Sequence, residues 1–423
     1  MNGLLWSGLA FVVTLMGLYV DDPLESEAKS LLASVPERIT NRAVFFQAGL
    51  NAPDGIDPVF YGRYRVESSQ AHGFAYTSAS LEGIQSATLP APKGPLFCST
   101  LGEAPCWRRI AFVKADQVDA LQAEHATLLE RYQTWLGMAS SEKRGPPRAL
   151  ENLPADHLAN VHRIVVLRAL ADAKAGQAEA AAQSLRQAIS RLRQHLATED
   201  DLSAKMLLTD MIAESIDALS MISQAHQMNQ IALEPMTPAE QDLTPSMANQ
   251  FKLAYRFFLS PRDSSLDRLG RSGLDAQQPA AINRLDRFVY KPIATVNLNF
   301  QDIRYWIEAS RLEPSDFAEL LSQPPRPSVW RTLGRLRNPV GHAMVQMMQP
   351  NFKEPIARLH ALGMRIDMFN AVHVQSADGA QPKPAANPYG QGLPSMIRAH
   401  PSAVCMPVPE VIDIKAVCLR LTA

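Results

Sequence analysis

The chain has 423 residues, room for two to three domains at roughly 150 residues each. Hydrophobic residues make up 46% and charged residues 20%, a globular balance that excludes wholesale disorder and a polytopic membrane protein. Lysine plus arginine is 41 against 42 for aspartate plus glutamate, so the basic field needed for non-specific nucleic-acid binding is missing and nucleic acid is not an expected partner.

Residues Met1 to Val20 carry no charged side chain, and Leu4 to Val20 is almost continuously apolar. At about 1.5 Å per residue that stretch spans roughly 26 Å as a helix, close to a thin hydrocarbon core. No lysine or arginine precedes it, and no small-x-small site marks its exit through Gly17-Leu18-Tyr19-Val20 into Asp21-Asp22-Pro23. An uncleaved transmembrane anchor over 1–20 is therefore expected ahead of a cleaved signal peptide or a core helix. The acidic run Asp21, Asp22, Glu25 and Glu27 favours the translocated side. The expected arrangement is single-pass, with the N-terminus inside and the body exported.

Residues 21–112 read as an irregular mixed region. Glu25 to Leu32 is expected as a short helix. Asp57-Pro58-Val59-Phe60-Tyr61-Gly62-Arg63-Tyr64-Arg65 interleaves arginine with aromatics but, lacking a basic domain, is expected to be a packed loop rather than a base-stacking surface. Four cysteines permit three pairings. Cys98 with Cys106 and Cys405 with Cys418 close the smallest loops, and an even count suits an oxidising compartment. Neither spacing offers the C-x2-C pairs of a zinc site.

From Asp116 the period becomes helical. Val118, Leu121, Leu128, Leu129, Tyr132 and Trp135 recur along one face. Further helices are expected from Asp156 to Lys174 (Leu158, Val161, Val165 and Leu170 inward, Asp156 as cap), from Ala178 to Leu196 (Leu185, Ile189, Leu192, Leu196), and from Leu202 to Ala225 (Met206, Ile212, Ile216, Leu219, Ile222). This region, 113–235, is an antiparallel helical array with short turns. The pair around Ala175-Gly176-Gln177 resembles one tetratricopeptide-type hairpin, but a shift of about 34 residues finds no second copy.

A proline-marked segment, 236–250, reads as a linker, and 251–374 as a second helical region. Its helices are expected at Phe251 to Leu259, Asn299 to Ser310, Ser315 to Leu321, Pro339 to Met348 and Glu354 to Val372. In the last of these Ile356, Leu359, Leu362, Ile366 and Phe369 share a face. The tail, 375–423, is a loop over Ser376 to Pro394 followed by a two-stranded hairpin in Ala403 to Leu421, turning at Pro407-Val408-Pro409 and stapled by Cys405 and Cys418. The fold class expected is mainly α: an irregular antiparallel helical array after one N-terminal transmembrane helix, with a small C-terminal β-hairpin.

Arg337-Asn338-Pro339-Val340-Gly341, Pro350-Asn351-Phe352 and Asn387-Pro388-Tyr389-Gly390 resemble segments of single-anchor, mainly helical envelope proteins of proteobacteria. The resemblance covers the last 90 residues or so, and implies a location, single-pass in a bacterial inner membrane with the body facing the periplasm, and an architecture but no activity.

Signatures of chemistry are sparse. There is no Gly-Lys dipeptide for a Walker A loop and no His-Glu pair for a zinc helix. Gly270-Arg271-Ser272-Gly273 lacks nucleophile-elbow spacing, and Ser26-Glu27-Ala28-Lys29 lacks the partners of a serine–lysine enzyme. His157 and His162, five apart on a helix, diverge by about 140°. His342 and His360 meet only if the fold brings them together. Arg326, Arg331, Arg335 and Arg337 form a basic run that reads as a solvated face, with phospholipid headgroups or a phosphate as the alternative. No catalytic, cofactor or metal residue is assigned. The expected function is an anchored extracytoplasmic scaffold or binding protein with a protein partner in the envelope, leaning away from an enzyme. The alternative is an envelope hydrolase built from dispersed histidine and acidic residues.

Overall fold

A computed structural model of the chain describes residues 20–71, 88–98, 104–138, 145, 153–228, 231–259, 289–323, 335–348, 350–374, 385–390, 397–400, 403–412 and 416–421. The expected anchor, Gly270 to Gly273, Arg326 and Arg331, and most of the Ser376 to Pro394 loop lie outside these. No helix among the described residues is long and apolar enough to cross a membrane.

The protein is mainly helical and forms two compact units. The first takes in residues up to Val35, Met247–Glu308 and Gln323–Asn351; the second takes in Pro36–Ser246, Ala309–Ser322 and Phe352–Ala423. Residues 236–250, expected to be a linker, are instead largely helical, within Pro238–Gln241 and the start of Thr244–Leu259.

In chain order the helices are α1 (Ser26–Ser34), α2 (Arg42–Ala48), α3 (Pro58–Ala71), α4 (Ala104–Ala111), α5 (Ala115–Glu124), α6 (Ala126–Leu136), α7 (Ala155–Lys174), α8 (Ala178–Thr198), α9 (Leu202–Ala225), α10 (Pro238–Gln241), α11 (Thr244–Leu259), α12 (Pro292–Ala309), α13 (Pro314–Ser322), α14 (Pro339–Met348) and α15 (Lys353–His373).

The stretch expected as a loop at Asp57 to Arg65 is instead the start of α3. Pro58 occupies the first helical position, where a missing N–H costs nothing, and Asp57 Oδ1 accepts from Val59 N at 2.6 Å and Phe60 N at 3.2 Å. Helices α2 and α3 meet at two glycines. A Cβ on Gly62 would lie 1.8 Å from the Phe45 carbonyl oxygen, and one on Gly49 1.9 Å from that of Pro58. Only glycine permits that approach. Helix α7 starts at Ala155, so Asp156 sits in the first turn and Pro154 takes the cap position, a correction to the expected cap. Asp156 still places its charge beside the positive end of the helix.

Helices α7, α8 and α9 form the core of the second unit. The turn from α7 to α8 is closed by Gln177 N bonding Asp172 O at 2.9 Å and Gly176 N bonding Ala173 O at 3.1 Å, with Gly176 at φ +88°. Leu185, Ile189, Leu192 and Leu196 of α8 are buried as their spacing predicts, as are Met206, Ile212, Ile216, Leu219 and Ile222 of α9. Each such side chain contributes about 1.5–3 kcal/mol relative to exposure. Helix α9 is buried on nearly every side, against α7, α8, α15 and the C-terminal sheet. Thus α15, from the second helical stretch of the sequence, completes a core begun before it.

The C-terminal sheet has three antiparallel strands in sequence order: β1 (Ile397–His400), β2 (Ala403–Pro407) and β3 (Ala416–Arg420). The expected hairpin is β2–β3, with Cys405 directly opposite Cys418 and their Cα atoms 4.0 Å apart. Its connection is longer than the expected Pro-Val-Pro turn and includes a 3-10 turn at Glu410–Ile412. Both expected disulfides are formed, Cys98–Cys106 and Cys405–Cys418, and no cysteine is free.

Candidate functional site

The second unit contains a cleft of about 600 Å³. One wall is a face of α15 carrying Leu359, His360, Gly363, Met364 and Asp367, residues that recur at three and four and so share a helix side. The other walls are Pro238 to Leu243 around α10, Ser310 to Pro314 leading into α13, and Pro388. The lining mixes apolar surface with a few polar groups, as small-ligand and peptide sites do.

His360 is the most constrained polar group there. Its ring packs edge-on against Phe317 at 5.4 Å and lies 6.4 Å from Tyr389. Burial holds its pKa down to about 4, against a partial offset from a hydrogen bond to the Leu312 carbonyl, so the ring is neutral near pH 7. Its Nδ1 is buried with no hydrogen-bond partner among the described residues. Asp367, at the mouth, has its carboxyl raised by desolvation.

The other expected histidines have different surroundings. His157 Nε2 bonds the Leu89 carbonyl at 2.9 Å. His162 is fully buried: Nδ1 lies 2.8 Å from the Tyr132 hydroxyl, and Nε2 lies 3.0 Å from Met211 O and 2.9 Å from Ser215 Oγ. The Met211 carbonyl requires the proton on Nε2, so Tyr132 donates to Nδ1. Ser215, Oγ to Met211 O at 3.0 Å, therefore faces a ring N–H rather than a base. A serine so placed is not activated. Burial pushes the His162 pKa to about 3 and raises that of Tyr132. His342 belongs to the first unit and His360 to the second. Among the described residues no group of three or more His, Cys, Asp or Glu side chains is placed to hold a metal.

A set of buried charges escaped the reading of the sequence. Asp210, Glu214 and Asp217 form a stripe on α9 and meet Arg358, Arg163 and Arg365. Glu214 accepts from Arg163 Nη2 at 3.0 Å, while Arg163 Nη1 donates to the carbonyls of Leu96 and Cys98. Asp217 also accepts from the backbone N of Arg420 in β3 at 3.2 Å. Burial raises all three carboxyls, Asp210 to about 6, against the pull of the arginines. The signal was available: three acids at i, i+4 and i+7 in a helix of mostly apolar sequence. Arg358 and Arg365 lie on α15, so this stripe fixes the helix that forms the cleft wall.

Of the basic run, Arg335 is exposed and Arg337 pairs with Asp22 at 2.6 Å. Ser26 and Lys29 are both exposed. No family model, curated protein or solved structure matches the chain.

Proposed function

We propose that the chain is a membrane-anchored, extracytoplasmic scaffold or binding protein that takes its partner at the cleft beside α15. The observation that carries this reading is the unpartnered Nδ1 of His360 in a preformed cleft whose helical wall is tied to α9 by the Asp217–Arg365 ion pair. A buried polar atom left unpaired costs about 1–3 kcal/mol, which a hydrogen-bonding group on a bound partner would recover. The apolar, uncharged stretch Leu4 to Val20 and the two disulfides support the anchored, exported placement. The hydrolase alternative has no observation of its own here: His162 is sealed in the core, and His360 has no nucleophile bonded to it.

Two measurements test the reading. Protease added to intact spheroplasts should digest the body; digestion only after permeabilisation would overturn the placement. A photo-crosslinking residue at Asp367 should capture a discrete adduct that the same residue at exposed Arg191 does not. Equal labelling at both positions would remove the cleft as the binding site.

A further inference from the structure

We propose that helix α14 lies in the headgroup–acyl boundary of the bilayer that holds the anchor, as a second membrane contact of the first unit. The proposal rests on the anchored reading of residues 4–20.

Helix α14, Pro339-Val340-Gly341-His342-Ala343-Met344-Val345-Gln346-Met347-Met348, contains no charged residue. Its inner face buries Gly341, Met344 and Val345. Its outer face exposes Val340, Ala343 and Met347 together with one polar residue, Gln346; Met347 is 77% exposed, and the preceding turn leaves Leu336 79% exposed. A surface helix ordinarily turns charge to water on its outer side. Here the exposed side is apolar apart from Gln346, so it offers surface to acyl chains, and exposed Arg335 beside it offers a cation to anionic headgroups.

The occupant is identified by where the expected span ends. The Val20 carbonyl accepts from Arg337 Nη2 at 2.7 Å and from Lys291 Nζ at 3.3 Å. Asp22 pairs with Arg337, and Asp21 caps α12 by accepting from Ile293 N at 2.9 Å and Ala294 N at 3.0 Å. The exit from the expected span is thus fastened to the residue that leads into α14, with only Asn338 between. Asn338 is itself buried and fixed: its Oδ1 accepts from Lys291 N at 3.0 Å and its Nδ2 donates to Thr295 Oγ1 at 2.9 Å. No slack separates the end of the anchor from the apolar helix. At 1.5 Å per residue α14 reaches about 15 Å from that point, so a lipid surface is the apolar phase within its reach.

The test uses the full chain in nanodiscs of phosphatidylethanolamine and phosphatidylglycerol, spin-labelled in turn at Met347→Cys, Val12→Cys and Glu308→Cys, with the native disulfides intact. Labels at 347 and 12 should collide with oxygen several-fold more readily than with a water-soluble nickel chelate, and the label at exposed Glu308 should show the reverse. Nickel access at 347 with protection at 12 would overturn the proposal and leave the anchor standing. Nickel access at 12 as well would overturn both. Protection at 347 together with spin–spin broadening between labelled copies would assign the face to a second copy and overturn the lipid contact.

Discussion

Replacing Asp217 by asparagine keeps the shape of the side chain and removes its charge. Two donors then lose their acceptor: the Arg365 guanidinium, whose side chain is 13% exposed, and the Arg420 backbone N–H. One amide oxygen cannot serve both, and the amide NH2 would face a cation. Removing one partner of a buried pair costs about 3–5 kcal/mol, because the orphaned charge stays desolvated. Taking the low end, since Arg365 keeps some solvent, Asp217→Asn should cost about 3 kcal/mol. For a unit of this size that lowers the melting temperature by roughly 5–10 °C. The β3 amides should exchange with deuterium faster, because the link from α9 to the sheet is cut. Adding Arg365→Met should recover most of the loss, since the orphan is then gone. A single variant melting within about 2 °C of the parent, or a double variant as unstable as the sum of its parts, would refute the reasoning.

The folded pKa of His162, about 3, lies below its unfolded value of about 6.5, so the unfolded chain binds the extra proton and this contribution to stability falls as pH drops from 6.5 toward 3. Relative to His162→Gln, the parent should lose about 1.4 kcal/mol per pH unit across that window; parallel pH profiles in denaturant titrations would contradict it. Cys405→Ser should cost about 2–3 kcal/mol and admit protease to residues 397–420 first, with far-ultraviolet helix signal retained; simultaneous loss of both signals would count against a separable sheet. Gln227 ends α9 at φ +51°, with Met228 N bonded to Ser223 O at 2.9 Å, a position that favours glycine. Gln227→Gly should raise stability by about 0.5–1 kcal/mol in chemical denaturation, and a decrease would show that the Gln227 side chain matters more than its backbone.

Periodicity located α9 and α14 at the residues expected of them, and the inward faces of α8 and α15 are buried as spaced, but α11 and α12 each begin seven residues before the expected Phe251 and Asn299. The misses have physical causes. Helix α3 was hidden by its proline, glycine and aromatics, although Asp57-Pro58 is itself a helix start. Strand β1 is too short to show an alternating pattern. The acid stripe on α9 was legible in its spacing and was overlooked, whereas a lone buried charge such as Arg131 has no spacing to reveal it. In the structure the Arg131 guanidinium is buried and donates to the carbonyls of Leu50, Pro53 and Ile56, which holds that loop in place. The cleft joins residues from 238 to 388, and no local spacing encodes such a meeting.

The bond from Arg163 to the carbonyl of Cys98 joins two features that look unrelated. One guanidinium neutralises Glu214 in the core and also holds the loop closed by the Cys98–Cys106 bridge. The covalent link keeps those carbonyl oxygens in position, and they satisfy the edge of the guanidinium that Glu214 does not reach. Opening the bridge would release the loop and withdraw acceptors from a buried cation, so chemistry at this sulfur pair is felt as a change of solvation inside the helical core. The redox state of the surroundings is in this way coupled to the electrostatics of α9.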